Sequence, residues 1–131
     1  VWRIGQHVVE FLARMRIGCE RVAKGEYYIK GNDTRSFCYI DDALEMTHRL
    51  VTDHNEHIVN VGRQKESYIA DVARIIMDIM DVDPNKLEIL PGPKGSAKRR
   101  CPDTSLVQQL TGFTKYTSLQ DGLKVTVESL L

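Results

Sequence analysis

The stretch SYIADVARIIMDIM, residues 67–80, constrains the fold of this chain more than any other. Ile69, Val72, Ala73, Ile76 and Met80 recur at helical spacing and form one broad apolar stripe, with Ser67 placed to cap the first turn. A helix so apolar on one side must bury that side, so the remaining segments have to supply a core around it. The chain has 131 residues, 42% of them hydrophobic and 27% charged, enough for one modest core and a single domain over 1–131.

The flanking segments read as further helices and short strands. QHVVEFLARMRI, residues 6–17, places Val8, Phe11, Leu12 and Met15 at helical spacing. YYIKGNDTRSFCYI is aromatic and β-branched around Gly31-Asn32-Asp33, the pattern of two short strands about a turn. Asp41 and Asp42 suit the first turn of a helix that continues through Leu44, Thr47, Leu50 and Val51. HIVNVG reads as a buried strand ending at Gly62, and LEIL at 87–90 as another short strand. A helix is expected from about Asp103 to Leu110 with Gly112 past its end, and a last one capped by Ser118 with Asp121 three residues on. The expected order is α-β-β-α-β-α-β-α-α. It describes a mixed, helix-rich α/β fold of several helices with short strand pairs.

Charge and cysteine usage exclude several functions. Eighteen basic and eighteen acidic residues cancel, so no molecule-wide field gathers nucleic acid or an anionic membrane. Cys19, Cys38 and Cys101 are odd in number and scattered, which fits neither a disulfide framework nor a zinc site and suits a reducing cytoplasm. No apolar run approaches the roughly 18–20 residues of a membrane span, so a soluble protein is expected. His48, His54 and His57 read as a polar helix end rather than a metal site, and no nucleophile is expected among the cysteines.

Anion binding must therefore be local. PGPKGSAKRRCPD, residues 91–103, gathers Lys94, Lys98, Arg99 and Arg100 in a loop that Pro91, Gly92, Pro93 and Gly95 keep irregular. Lys94, Lys98 and Arg99 suit solvated charges. Arg100 precedes Cys101-Pro102-Asp103, where proline fixes φ and aspartate can cap a helix, so its backbone is held and its guanidinium suits a bidentate grip on phosphate. In TRSFCYIDD, strand alternation places Arg35, Phe37 and Tyr39 on one face. An arginine beside two aromatics needs an anion, which is either an internal carboxylate such as Asp41 or Asp42, or a ligand phosphate.

Taken in order, GNDTRSFCYIDD, VNVG, SYIADVARII and RRCPDTSLVQQLTGFTKYTSLQDGLKVTVESL resemble the C-terminal part of the extended short-chain dehydrogenase/reductase family, its nucleoside-diphosphate-sugar epimerases and dehydratases. The resemblance runs over nearly the whole chain. It implies a small substrate-binding domain that grips a nucleoside-diphosphate sugar over a nicotinamide held by an N-terminal Rossmann domain, in an enzyme that is a cytoplasmic homodimer. It also implies that Arg35 and Arg100 contact the diphosphate and adjoining ribose. Tyr28 is placed against the base, and the helix carrying Gln6, Val8 and Phe11 lines the nucleotide pocket.

The family's cofactor and catalytic motifs do not occur here. No Gly-rich turn of the GxGxxG kind is present, and none of Tyr27, Tyr28, Tyr39, Tyr68 or Tyr116 has lysine four residues on. NAD or NADP is thus expected in the intact parent and not on this chain, which carries no catalytic residue and would not turn over alone. The Rossmann domain is expected outside these 131 residues, on the same or a companion chain. A stand-alone nucleotide-sugar-binding or regulatory module is the alternative, and a nucleic-acid binder using residues 94–100 the weakest reading.

Overall fold

The computed structural model describes residues 16–53 and 58–131. In chain order these form α1 over 16–23, β1 (Tyr28–Lys30), β2 (Thr34–Ser36), α2 (Ile40–Asp53), β3 (Glu66–Tyr68) and α3 (Ile69–Ile79). A 3-10 turn at Pro84–Lys86, β4 (Glu88–Leu90), β5 (Arg99–Arg100), α4 (Ser105–Thr111) and α5 (Leu119–Leu130) complete it. The fold is mixed α/β, helix-rich, with short strand pairs. None of these helices is long and apolar enough to cross a membrane.

The strands make two small sheets. β1 pairs with β4 in parallel, Ile29 opposite Ile89. β2 lies between β3, antiparallel with Arg35 opposite Ser67, and β5, parallel with Arg35 opposite Arg100. The two segments around Gly31-Asn32-Asp33 are thus both strands, but each joins a different sheet.

Two apolar clusters fill the interior. One joins Cys19 and Val22 of α1 to Val72, Ile76 and Met77 of α3 and Leu123 and Val127 of α5. The stripe on α3 is buried there as its periodicity predicts. The second joins Met46 and Leu50 of α2 to Val107 of α4 and Phe113, with Tyr116 edge-on to Phe113 at 5.0 Å between ring centroids. Asp42 is buried at the seam, accepting from the Thr117 backbone N–H at 2.7 Å and the Thr117 hydroxyl at 3.0 Å. Its carboxylate ties α2 to the segment before α5 instead of serving its own helix's first turn.

Several local expectations change. Residues 58–65 of the predicted HIVNVG strand and its continuation form no regular element, and the third strand comes later, at Glu66–Tyr68. Val59 and Val61 still pack on the second cluster, so the apolar signal reported burial and not strand pairing. Ser67 lies within β3 and caps nothing; the cap position of α3 is Tyr68, without a side-chain bond. The free N–H groups of α3 are met from the β1–β2 turn, Ile69 N–H donating to the Asp33 carbonyl at 3.0 Å and Ala70 N–H to Asn32 Oδ1 at 3.2 Å. α4 begins at Ser105, and Asp103 Oδ1 accepts from its N–H at 3.0 Å. Gly112 in the left-handed region and the Ser118–Asp121 cap stand as the sequence predicts. The predicted helix over 6–17 lies outside the described residues except at its end, where the helical turns run on to residue 23.

A candidate anion-binding site

Arg99 and Arg100 form a strand that their loop composition conceals. β5 is held to β2 by register pairing, reinforced where Thr34 N–H donates to the Lys98 carbonyl at 2.9 Å. Register partners on adjacent strands leave the sheet on the same face, and strands lie about 4.8 Å apart. Arg35 and Arg100 are such partners, with Ser67 opposite Arg35 on the other side. One face of this three-stranded sheet therefore presents Ser67, Arg35 and Arg100 in a row. Like charges directly opposed in a sheet are destabilising without an anion between them.

The two cations differ in their surroundings. Arg35 is held: its Nη1 donates to the Thr34 carbonyl at 2.7 Å and its Nη2 faces Asp33 Oδ2 at 3.9 Å, both side chains being about three-quarters buried. The internal carboxylate is Asp33, not Asp41 or Asp42. The alternation expected through Phe37 and Tyr39 stops at Ser36, where β2 ends. Arg100 is exposed, and its side chain makes no hydrogen bond or ion pair among the described residues.

The opposite face of the sheet is internally neutralised. Glu66 Oε1 accepts from Arg99 Nε at 2.6 Å and from Thr34 Oγ1 at 3.0 Å. These bonds hold the Glu66 carboxyl below its usual range, the Arg99 contribution being the larger. Arg99 is thus spent on a carboxylate while Arg100, one residue on, is left open. Strand alternation separates two adjacent arginines that the sequence alone presents as one patch.

A cavity of about 360 Å³ is lined by Gly31, Asn32, Asp33, Gly92, Pro93, Ser96 and Lys98, and neither Arg35 nor Arg100 is among its walls. A second, of about 290 Å³, is lined by Gln64, Arg99, Cys101, Pro102 and Asp103. Asp103 is held below the usual carboxylate range by the Ser105 hydroxyl and then the Ser105 N–H. Cys38 is pushed up to about 11, first by burial and then by the Asp42 carboxylate against the opposing charge of Arg63. A thiol raised in this way stays protonated at neutral pH.

Of the remaining candidate residues, Tyr28 stands at the start of β1, in the other sheet. Arg21 of α1 lies over its ring at 5.0 Å and donates to its hydroxyl at 3.4 Å. Gln6, Val8 and Phe11 lie outside the described residues. Asp33, Ser67 and Ser96, which the sequence does not single out, lie near the candidate arginines through strand pairing and turn geometry.

The described residues show no strand, glycine turn and helix in succession of the kind that cradles a dinucleotide. β1 runs through Gly31 into another strand, β2 reaches α2 without a glycine, and β3 joins α3 directly.

No family model matches this chain. It is 31% identical over 101 residues to GDP-mannose 3,5-epimerase 1 of Oryza sativa subsp. indica, covering 77% of this chain and 26% of that protein. To UDP-glucuronic acid decarboxylase 4 of Arabidopsis thaliana it is 28% identical over 102 residues, covering 77% and 23%. Its fold matches that of UDP-glucuronic acid 4-epimerase from Bacillus cereus, in complex with UDP-glucuronic acid and NAD, with a TM-score of 0.70 at 22% identity, covering 86% of this chain and 37% of that one. The homologues of this chain are thus sugar-nucleotide decarboxylases and epimerases, of the extended short-chain dehydrogenase/reductase family. Solved neighbours hold NAD or NADPH in their complexes. The chain spans about a quarter of the length of the curated relatives it matches.

Proposed function

We propose that this chain is the sugar-nucleotide-binding portion of an NAD(P)-dependent epimerase, dehydratase or decarboxylase, and that Arg35 and Arg100 grip the diphosphate of its substrate. The observation that carries the reading is the parallel register of β2 and β5, which sets these two arginines side by side on one sheet face. Two guanidiniums on adjacent strands can meet a diphosphate with several charge-assisted hydrogen bonds. Ser67 supplies a hydroxyl on the same face. The share of this chain in the reaction is binding energy and orientation: fixing the diphosphate fixes the sugar that extends from it.

The chemistry on the sugar falls to a companion Rossmann domain. An unused face of α2 supports such a partner. Met46 and Leu50 face the core, while Ile40, Leu44 and Val51 fall on a common stripe and are 42%, 57% and 52% exposed. A helix apolar on two sides needs a second covering surface. This favours part of a larger enzyme over a stand-alone module.

Calorimetric titration with UDP-glucose tests the reading. Arg35→Ala and Arg100→Ala should each weaken binding by about 1.5–3 kcal/mol, the value of a charge-assisted contact. Unchanged affinity in both variants would remove the grip.

A further inference from the structure

We infer that Asp33 is a positioning residue for this grip: its carboxylate sets the direction of Arg35 and fastens the loop that delivers Arg100. The inference rests on the diphosphate reading above. Asp33 stands where three elements meet. Its carbonyl accepts from Ile69 N–H at the start of α3 at 3.0 Å, and the adjacent Asn32 side chain accepts from Ala70 N–H at 3.2 Å, so the backbone here is fixed to a helix. Its side-chain Oδ2 accepts from the Ser96 hydroxyl at 3.0 Å and faces Arg35 Nη2 at 3.9 Å. One oxygen thus spans β2 and the 91–98 loop, and the next backbone bond, Thr34 N–H to the Lys98 carbonyl at 2.9 Å, starts the β2–β5 pairing that places Arg100.

The placement has two opposed consequences. By charge alone, a carboxylate beside the cationic face repels a phosphate. By geometry, it holds the Arg35 fork near the face shared with Arg100 and keeps the loop from swinging, so less freedom is lost when the anion arrives. The partial burial of both side chains and the tie to Ser96 favour geometry: a guanidinium released from Asp33 has a long flexible stem and no other carboxylate in contact among the described residues.

The test is calorimetric titration of the 131-residue chain with inorganic pyrophosphate, which isolates the anion from base and sugar. Asp33→Ala should weaken binding about tenfold. Asp33→Asn, whose amide oxygen can still accept from Ser96 and turn its dipole toward Arg35, should recover affinity to within about threefold of the parent, and Ser96→Ala should fall between them. Equal or tighter binding by Asp33→Ala would overturn the inference, since the carboxylate would then act only as an opposing charge. So would an Asp33→Asn variant as weak as Asp33→Ala. Arg35→Ala and Arg100→Ala serve as controls: if either binds pyrophosphate like the parent, the site itself is wrong and the inference falls with it. Loss in the arginine variants with no change at Asp33 or Ser96 sinks the inference and leaves the site.

Discussion

Arg99 and Arg100 are neighbours of identical chemistry with opposite fates, because a strand sends successive side chains to opposite faces. Arg99 donates to Glu66, which also accepts from Thr34, whereas Arg100 is aligned with Arg35. The Glu66 carboxyl titrates below its usual range in the folded chain, so its bonds stabilise the fold above the ordinary carboxylate pKa. That contribution is lost as pH falls through the lowered value. Urea unfolding at pH 7 and at pH 3 should therefore show a smaller acid-induced drop in midpoint for Glu66→Gln than for the parent; equal drops would exclude Glu66 from the acid sensitivity. At this scale the sequence was informative about Arg35, which is partly buried and faces a carboxylate, although β2 ends before the aromatics that suggested it. It was silent on Asp33, whose partners lie on α3 and in the 91–98 loop.

The elements differ in how far they could be read. Helices α3 and α5 carry their own period, and α5 its own cap as well, and they form where the apolar spacing places them. The strands have three residues or fewer, too short for alternation to declare itself against turn composition. Pairing decides them, and pairing is long-range: β1 needs β4, and β2 needs both β3 and β5. Where the loops after β1 and β4 cross, Gly31 and Gly92 touch. A Cβ on Gly31 would lie 3.2 Å from Gly92 Cα, and Gly31 has φ +77°. Gly31→Ala should cost about 1–2 kcal/mol from the left-handed backbone alone, with the contact adding to it. Thermal unfolding measures the loss, and an unchanged midpoint would mean that the crossing is not tight. The mis-assigned strand near residue 60 follows the same logic, since Val59 and Val61 are packed without a neighbouring strand to pair with.

For the molecule as a whole, one apolar cluster joins α1, α3 and α5, the other joins α2 to α4 and Phe113, and α2 remains half-covered. Replacing Leu44 by Lys should leave the unfolding midpoint of the isolated chain nearly unchanged and reduce its self-association in sedimentation measurements, because Leu44 touches solvent rather than core. A large loss of stability would show that the stripe is already buried. The positions of α3 and α5 and the apolar face of α3 were legible in residue order, since each depends on interactions within a few residues along the chain. Which arginine is spent and which is open, what caps α3 and which loop hydroxyl meets Asp33 were decided only by the tertiary structure. Those outcomes depend on strand register and loop crossings between residues 30 to 65 positions apart, and no local pattern encodes a register that two- and three-residue strands acquire only from their partners.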